Sequence, residues 1–322
     1  MDNITLLVLA NPTDPQLAML EKLPDSTSIV VGNAVEAFKK AAPEAEAIFY
    51  WSGPGKVLEQ IWPLAKRVKW VHCRNAGLDN LLFPELVESP VPLTNGSGVF
   101  SQSIAEFVIG AAVYFVKDFR RLIRNQEAGR WEHFDVDELR GQTMCIVGYG
   151  DIGRACAQRA HAMGMRVLAV RRRPGLSQGD PYISGVYSME QMIEILPQSD
   201  FVVAAAPLAP GTRHLIGEAA LAAMKNTAVV MNVGRGPVVD EVALIRALES
   251  GRIRGAALDV FEVEPLPADS PLWKLENVLL SPHSTDHTRT WLEDAMQFFI
   301  DNFGRYVAGQ PLVNVVDKRA GY

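Results

Sequence analysis

Short apolar runs alternate with amphipathic segments along the first hundred residues of the chain. The apolar runs predict buried strands at 5–10, 28–32, 47–51, 70–74 and 92–95. The segments between them have the spacing of helices, at 14–23, 33–42 and 55–65. Alternation of this kind is typical of an α/β layer built on a mainly parallel sheet.

The same alternation returns in the second half of the chain. Its apolar runs predict six strands, at 144–147, 166–170, 201–204, 228–232, 255–259 and 278–280. Residues 101–125 read as one long helix that connects two domains, and 291–307 as a helix that returns to the first domain. The predicted fold class is therefore α/β, with two doubly wound domains and mainly parallel sheets.

A glycine-rich turn follows the first strand of the second half. Gly148, Gly150 and Gly153 have the spacing G-x-G-x-x-G and are followed by a helix-permissive segment and a second strand. The first glycine allows the tight turn, the second lets the backbone approach a pyrophosphate, and the third lets helix and strand pack closely. Backbone N–H groups of the first helical turn, at Asp151 and Ile152, then face the phosphates. This context predicts a dinucleotide-binding site.

Three arginines, Arg171, Arg172 and Arg173, follow the second strand of this half. An NAD-specific site usually carries Asp or Glu at this place, which accepts hydrogen bonds from the ribose hydroxyls. A carboxylate would repel a 2′-phosphate, whereas guanidinium groups pair with it through charge-assisted hydrogen bonds. The sequence therefore favours NADP(H) over NAD(H). The alternative is a solvated basic loop at the end of a strand.

The composition restricts the classes of function. A chain of 322 residues is long for one core, and 48% hydrophobic with 21% charged residues indicates a globular protein. The formal net charge of −6 argues against a nucleic-acid partner. The arginine cluster therefore fits a local anion site better than a groove for a polyanion.

The cysteines and the apolar segments bear on the compartment. Cys73, Cys145 and Cys156 lack the spacing of a metal site, and their odd number suits a reducing environment. Cys145 and Cys156 fall in a predicted strand and helix, so we expect them in the core. The N-terminal apolar run has no basic region before it, and the most apolar helix candidate, 104–116, is too short to span a bilayer. The expectation is a soluble, cytoplasmic protein without a metal site or a membrane partner.

Three polar residues lie where predicted strands end. Arg235, Glu264 and His283 each follow an apolar run of the second half, and ligands bind at this edge of open α/β sheets. One arginine, one carboxylate and one histidine suffice to bind a 2-oxo acid and protonate its carbonyl. Taken singly, each has a structural alternative: a polar loop residue, a turn residue before proline, and a helix-capping or buried histidine.

The chain resembles the D-isomer-specific 2-hydroxyacid dehydrogenase family over almost its whole length. The matching motifs, besides the glycine turn, are Asn75-Ala-Gly-Leu-Asp79, Ser103-Ile-Ala-Glu106, Ala206-Pro-Leu208 with Thr212, Asn232-Val-Gly-Arg-Gly236, Ala257-Leu-Asp-Val260, Glu264-Pro265 and Pro282-His283. The resemblance implies a flavodoxin-like substrate-binding domain at 1–101 and 289–322. It also implies a Rossmann dinucleotide-binding domain at 102–288, with a cleft between the two.

The resemblance implies roles for single residues as well. Arg235, Glu264 and His283 would be catalytic, and backbone N–H groups around Ala76 and Gly77 would bind the substrate carboxylate. His283 would protonate the carbonyl oxygen, Glu264 would orient the imidazole, and Arg235 would bind the carboxylate and polarise the carbonyl. The implied reaction is NADPH-dependent reduction of glyoxylate, hydroxypyruvate or a bulkier 2-oxo acid to the D-2-hydroxy acid.

The resemblance implies further contacts with the cofactor, the substrate and a second copy of the chain. Asp259 would hold the nicotinamide carboxamide, while Pro207, Thr212 and Val233 would line the cofactor cleft; a simple helix cap is the alternative for Thr212. Trp51 is a candidate for shaping the substrate pocket, and a core aromatic residue is its alternative. The segments 101–125 and 131–139 resemble the family's dimer-forming region, which implies a homodimer.

Two other functions stay open. An NAD(P)(H)-sensing protein, like the corepressor relatives of the family, would share this fold, although the three catalytic residue types argue against it. An NAD-dependent phosphoglycerate dehydrogenase is expected to prefer NAD and often to carry a regulatory domain after the position where this chain ends. Residues 284–288 depart from the Gly-rich segment of many family members. His287 is a candidate extra polar group there, with a solvent-facing helix-start residue as the alternative.

Overall fold

The computed structural model describes residues 3–79, 81–209 and 211–321. It divides the chain into two compact units. The first unit consists of Met1–Phe100 with Arg289–Tyr322, and the second consists of Ser101–Thr288. Each unit is built on its own parallel sheet with helices in the connections, so the predicted α/β class with two Rossmann-like domains is confirmed.

The sheet of the first unit has five parallel strands. They are β1 Ile4–Leu9, β2 Thr27–Gly32, β3 Ala45–Tyr50, β4 Trp70–Cys73 and β5 Leu93–Asn95. Their order is β2-β1-β3-β4-β5. All five predicted strands are present, and their ends lie within about two residues of the predicted ones, as is usual for boundaries read from a pattern.

The helices of the first unit are shorter than predicted. Residues 14–23 form a 3₁₀ helix, Pro15–Lys22, rather than an α-helix, and 33–42 form only the one-turn helix α1, Val35–Phe38. The segment 55–65 forms α2, Gly55–Ile61, because Pro63 has no N–H with which to continue the helical hydrogen bonds. A further short helix, α3, spans Pro84–Glu88.

The C-terminal helix, Trp291–Val307, has the predicted bounds and packs an aromatic face on this sheet. Phe299 stacks on Phe49 with ring centroids 3.8 Å apart and lies 5.7 Å from the ring of Trp70. His72 on β4 is fully buried in the same aromatic cluster, and its Nδ1 lies 2.7 Å from Oγ1 of Thr94. These aromatic rings form the core that packs the C-terminal helix against the sheet of the first unit.

The sheet of the second unit has seven parallel strands. They are β6 Thr143–Val147, β7 Arg166–Val170, β8 Gly185–Tyr187, β9 Phe201–Ala204, β10 Val229–Asn232, β11 Gly255–Leu258 and β12 Val278–Leu280. Their order is β12-β11-β10-β9-β6-β7-β8. The six predicted strands are present, but the prediction missed β8, because this three-residue edge strand is only half-buried and has no apolar run.

The strand order reverses at β6. The chain adds β7 and β8 on one side of β6 and then crosses over to add β9 to β12 on the other. Ligands of open α/β sheets bind at such a switch point, outside the carboxyl ends of the strands. The glycine turn follows β6, so it lies at this point. The helices of the second unit are α4 Ser101–Val116, α5 Phe119–Glu127, α6 Asp151–Ala162, α7 Met192–Ile195, α8 Glu218–Ala223 and α9 Glu241–Glu249.

The prediction of one helix over 101–125 is wrong. The segment forms α4 and α5, and the break falls at Asp118, whose φ of 49° is left-handed and therefore not helical. The carboxylate of Asp118 accepts the N–H of Arg121 at 3.3 Å, as an N-cap does, which explains why the polar residue starts a new helix. None of the residues of α5 is buried.

Two further expectations concerned the cysteines and the possibility of a membrane-spanning helix. Cys145 on β6 and Cys156 on α6 are fully buried and unpaired, so their prediction as core residues is confirmed. Burial raises the pKa of each thiol to about 12, which keeps both protonated and unreactive. Within the described ranges, no helix combines the length and the apolar character needed to cross a bilayer.

Candidate active site

The glycine turn between β6 and α6 is shaped by close backbone contacts. Gly148 has a φ of 99°, and a Cβ added to it would lie 2.4 Å from the backbone nitrogen of Ala206. A Cβ on Gly153 would lie 2.5 Å from the carbonyl oxygen of Gly148. Gly150, in contrast, has no atom within 4 Å of where its Cβ would be. The fold itself therefore requires glycine at 148 and 153, whereas the space beside Gly150 is open.

The first turn of α6 presents backbone N–H groups at the switch point. Asp151 and Ile152 are its first two residues, and Gly150 is the N-cap without a side chain to cap it. The carboxylate of Asp151 accepts a short hydrogen bond from the hydroxyl of Ser101 at the start of α4. Ser101 of the same unit thereby holds the Asp151 carboxylate. The backbone N–H groups of the first turn of α6 lie at the positive end of the helix dipole.

The three arginines follow β7, the neighbour of β6 in the sheet. Arg171 is half-buried, donates its backbone N–H to Tyr187 at 3.0 Å and forms a short hydrogen bond from its guanidinium to the hydroxyl of Ser177. Arg172 and Arg173 are exposed. The edge of the sheet beside the glycine turn thus carries three cationic residues at the place where an NAD-specific site usually has a carboxylate.

The three predicted catalytic residues follow three neighbouring strands. Arg235 comes after β10, Glu264 after β11 and His283 after β12, and these strands are adjacent in the sheet. Because carboxyl ends of parallel strands share one edge, the residues lie along the same rim. The loop of Arg235 is pressed against the loop of Glu264, since a Cβ on Gly236 would lie 1.8 Å from the carbonyl oxygen of Phe261.

Glu264 and His283 form a hydrogen-bonded pair. Oε2 of Glu264 lies 2.7 Å from Nδ1 of His283, and Oε1 accepts the backbone N–H of Phe261 at 2.9 Å. The side chains remain 35% and 46% exposed, which leaves the imidazole accessible. With Nδ1 directed at the carboxylate, the ring nitrogen that can meet a ligand is Nε2.

Asp259 anchors the segment that carries His283. This carboxylate is 3% exposed, and its Oδ1 accepts the hydroxyl of Ser281 at 2.7 Å and the N–H of Ser284 at 3.0 Å. Its Oδ2 accepts the hydroxyl of Thr285 at 2.6 Å, and its backbone carbonyl accepts the N–H of His283 at 2.8 Å. The contact with the nicotinamide carboxamide stays a prediction, and the anchoring is a role that the motif did not reveal.

The structural role of Asn232 was also missed in the sequence. It is 1% exposed, and its side-chain amide donates to the carbonyl oxygens of Arg235 at 3.0 Å and Gly236 at 3.3 Å. Its Oδ1 accepts the N–H of Gly234 at 3.2 Å. The buried amide therefore holds the turn that carries Arg235. The only signal in the sequence was a polar residue at the end of an otherwise apolar strand.

The remaining predicted cofactor residues follow β9 and β10. The hydroxyl of Thr212 donates to the carbonyl oxygen of Pro207 at 2.7 Å and accepts the N–H of Ala209 at 2.8 Å, so it stabilises its own turn. Val233 is 4% exposed and donates its N–H to Ala204 at 3.0 Å. The contacts of these residues with a cofactor stay predictions.

The predicted substrate residues of the first unit follow β3 and β4, which are adjacent. Trp51 is 1% exposed and lies against Phe49, with ring centroids 5.6 Å apart. Ala76 and Gly77 are half-buried, and the carbonyl oxygen of Ala76 accepts the side-chain amide of Asn95 at 2.7 Å. The three residues thus lie at the carboxyl edge of their own sheet, where ligands bind in this type of fold.

Comparison with known proteins agrees with the fold and the motifs. The family model of the D-isomer specific 2-hydroxyacid dehydrogenase NAD binding domain matches residues 109–285, which is more than half of the chain. A glyoxylate reductase of Korarchaeum cryptofilum is 35% identical over 275 residues, covering 80% of this chain and 79% of its own. The protein belongs to the D-isomer specific 2-hydroxyacid dehydrogenase family, whose members are oxidoreductases of small 2-oxo and 2-hydroxy acids.

Two further similarities bear on function. A D-3-phosphoglycerate dehydrogenase of Methanocaldococcus jannaschii is 30% identical over 95% of this chain, which spans 58% of the length of that relative. Among solved structures, a family member from Xanthobacter autotrophicus in complex with NADPH and MES is 30% identical with a TM-score of 0.84, and both chains are covered completely.

Proposed function

We propose that this protein reduces a small 2-oxo acid to the D-2-hydroxy acid with NADPH. One observation carries the proposal: Arg235, Glu264 and His283 follow three neighbouring strands, and Glu264 is hydrogen-bonded to His283. A cation, a carboxylate and an imidazole at the ligand-binding edge of a dinucleotide fold are what this reaction needs. The glyoxylate reductase among the relatives supports glyoxylate as a first substrate to test.

Each of the three side chains has a chemical task in this proposal. Bound nicotinamide would supply the hydride. His283, held through Nδ1 by Glu264, carries the proton on Nε2 and donates it to the carbonyl oxygen as negative charge develops there. Glu264 stabilises the positively charged imidazolium, and its fixed Oε1 keeps it in place. Arg235 neutralises the substrate carboxylate and polarises the carbonyl.

The preference for NADP(H) rests on the end of β7. Arg171, Arg172 and Arg173 offer guanidinium groups to a 2′-phosphate, and a carboxylate that would repel it is absent from these positions. The open space at Gly150 and the N-terminus of α6 fit the approach of a pyrophosphate. The NADPH complex of the Xanthobacter relative supports the same preference.

The homodimer is proposed from the surface of the second unit. All residues of α5 are at least partly exposed, and its Leu122 and Ile123 are 47% and 52% exposed. Trp131 in the following arm is 90% exposed. A second copy would remove these apolar side chains from water, which is the usual reason for such a patch. Light scattering of the purified protein measures its molar mass and thereby distinguishes a monomer from a dimer.

The test of the reaction is a panel of 2-oxo acids assayed with NADPH and with NADH. We expect turnover of glyoxylate or hydroxypyruvate and a higher kcat/KM with NADPH. Turnover of no 2-oxo acid, together with tight NADPH binding, would favour the sensing protein instead. Best turnover of 3-phosphohydroxypyruvate with NADH would favour a phosphoglycerate dehydrogenase, the function suggested by the Methanocaldococcus relative.

The cofactor preference has its own test. Arg171→Asp is expected to lower the ratio of kcat/KM with NADPH to that with NADH by about a hundredfold, because a charge-assisted contact is replaced by repulsion. Arg166→Asp is the matched control, since Arg166 begins the same strand at the opposite edge and bonds Gln198 at 2.7 Å. An equal change of the ratio in both variants would contradict the site.

A further inference from the structure

A largely buried carboxylate connects the segment after β7 with the helix that follows the glycine turn. Asp180 lies between β7 and β8, and its side chain is 11% exposed. Its Oδ1 accepts the N–H of Tyr182 at 3.1 Å, and its Oδ2 accepts Nε of Arg154 at 2.7 Å. Arg154 is the fourth residue of α6. One ion pair of the second unit thus joins the two elements between which a dinucleotide is proposed to bind.

Arg154 has two contacts with this segment. Besides the ion pair, its Cζ lies 5.0 Å from the ring centroid of Tyr182. Burial by itself would raise the pKa of Asp180, but the N–H of Tyr182 and the charge of Arg154 outweigh burial and lower it. The carboxylate is therefore ionised at neutral pH. A cation near the start of a helix faces the positive end of the helix dipole, and the pairing with an anion offsets that repulsion.

The ion pair lies at the edge of the sheet where the 2′-phosphate is proposed to bind. The backbone N–H of Asp180 donates to the carbonyl oxygen of Ser177 at 3.2 Å, and the hydroxyl of Ser177 accepts the guanidinium of Arg171. Tyr149, between the first two glycines of the turn, faces the same charges. Burial raises the pKa of Tyr149, the charge of Asp180 raises it further, and Arg154 and Arg171 act in the opposite direction.

An uncompensated carboxylate at this edge would oppose the binding of a phosphate. Asp180 would repel the 2′-phosphate directly, and it would attract the guanidinium of Arg171, which is proposed to bind that phosphate. Both effects would lower the affinity for NADPH relative to NADH, because the two cofactors differ only in this group. The pairing with Arg154 removes the unfavourable charge before a cofactor binds.

We propose that Arg154 determines the preference for NADP(H) by neutralising Asp180, and that it does so without binding the 2′-phosphate itself. The proposal rests on the proposed NADP(H) preference and adds to it a residue outside the cluster of Arg171, Arg172 and Arg173. Arg154 is a positioning residue in this account, because its effect on the cofactor passes through Asp180.

A double-mutant cycle with two nucleotides tests this compensation. Adenosine 2′,5′-bisphosphate and adenosine 5′-monophosphate differ only in the 2′-phosphate, and calorimetric titration gives the ratio of their association constants. Arg154→Gln should lower this ratio by about tenfold, as for one unpaired charge at a partly exposed site. Asp180→Asn should keep or raise the ratio, and the double variant should match Asp180→Asn. Arg154→Lys should retain most of the ratio, because it keeps the charge.

The matched control is Arg140→Gln. Arg140 is an exposed arginine of the same unit, is paired with Glu138 at 2.8 Å and precedes β6, so it lies at the opposite edge of the sheet. Its removal changes the net charge equally and should leave the ratio unchanged. Unfolding midpoints of all variants, measured without nucleotide, report whether the fold is kept.

Three outcomes would overturn the proposal. The first is a wild-type ratio in Arg154→Gln. The second is a double variant with a ratio as low as that of Arg154→Gln, which would mean that Arg154 contacts the phosphate itself. The third is an equal loss in Arg154→Gln and Asp180→Asn, which would mean that the ion pair only supports the segment after β7.

These binding measurements need no turnover, so they separate the proposal from the proposed function. Equal binding of the two nucleotides by the wild type would contradict the NADP(H) preference. A ratio that then falls in Arg154→Gln and recovers in the double variant would still show the compensation by Arg154. Conversely, a wild type that prefers the bisphosphate, with the same ratio in Arg154→Gln, would keep the preference and overturn the role of Arg154.

Discussion

Glu264 and His283 are joined by a hydrogen bond of 2.7 Å between Oε2 and Nδ1, although they follow different strands, β11 and β12. The second oxygen of Glu264 is held by the backbone N–H of Phe261. The carboxylate is thus oriented from within its own loop, and the histidine takes its orientation from the carboxylate.

His283→Ala is expected to lower kcat for 2-oxo acid reduction by about a thousandfold, because no other group in the trio can supply the proton. Glu264→Gln should lower kcat less, by about ten- to hundredfold, since the amide still accepts from Nδ1 but no longer stabilises the imidazolium. Dissociation constants for NADPH should stay within about threefold of the wild type in both variants. Steady-state kinetics and fluorescence titration measure these quantities.

His161→Ala serves as the control, because His161 is an exposed residue in the last turn of α6. Full turnover in His283→Ala, or a loss as large in His161→Ala, would remove His283 from the proposed acid–base role.

Asp259→Asn tests whether this residue anchors the His283 segment or serves only the cofactor. The amide cannot accept all the hydrogen bonds that Ser281, Ser284 and Thr285 donate to the carboxylate. Leaving such buried donors unpaired should lower the free energy of unfolding by about 1–3 kcal/mol without any cofactor present. We also expect kcat to fall, because His283 loses its support. A weaker NADPH affinity with an unchanged unfolding midpoint of the cofactor-free protein would instead leave Asp259 as a cofactor ligand only.

Gly148 and Gly150 form a matched pair within one turn. Gly148→Ala must accommodate a φ of 99° and a Cβ 2.4 Å from a backbone atom, so we expect a loss of about 2 kcal/mol or more in unfolding free energy, or failure to fold. Gly150→Ala meets no atom within 4 Å and should keep the unfolding midpoint of the wild type. The same substitution should weaken NADPH binding at least about tenfold if a pyrophosphate approaches this backbone. Wild-type affinity in Gly150→Ala would show that it does not.

His72 makes the stability of the fold depend on pH. Burial lowers the pKa of His72 to about 3, from its usual 6.5. Between these values the unfolded chain binds a proton that the folded chain excludes, so stability is lost as the pH falls below 6.5. This residue alone should reduce the unfolding free energy by up to about 1.4 kcal/mol per pH unit in that window.

Denaturant unfolding at a series of pH values measures this slope. His72→Phe provides the comparison, because it keeps an aromatic ring in the cluster with Phe49 and Phe299 but cannot titrate. The variant should have a smaller slope between pH 6.5 and 3 than the wild type. Identical slopes would assign the acid sensitivity to other groups.

The sequence by itself determined the class of fold and the rim on which the chemistry is proposed. Buried strands of a parallel sheet are continuous apolar runs, and such runs can be read without knowing their neighbours. The loop that follows each run then lies at the ligand-binding edge whatever the strand order is, which is why Arg235, Glu264 and His283 in these loops could be selected in advance. The reading failed where this signal is weak, at the half-buried β8, and where a local cap overrides periodicity, at Asp118.

Only the tertiary structure decided how the side chains of these loops are paired. The hydrogen bond between Glu264 and His283 depends on β11 and β12 being adjacent. The segment from Ser281 to Thr285 is held by hydrogen bonds to the buried carboxylate of Asp259. The contact of Arg74 with Trp291 joins residues more than 200 positions apart. The hydrophobic pattern of a sequence indicates which residues are buried and which are exposed. It does not indicate which side chains form a hydrogen bond or stack on each other, because those partners depend on strand order and packing.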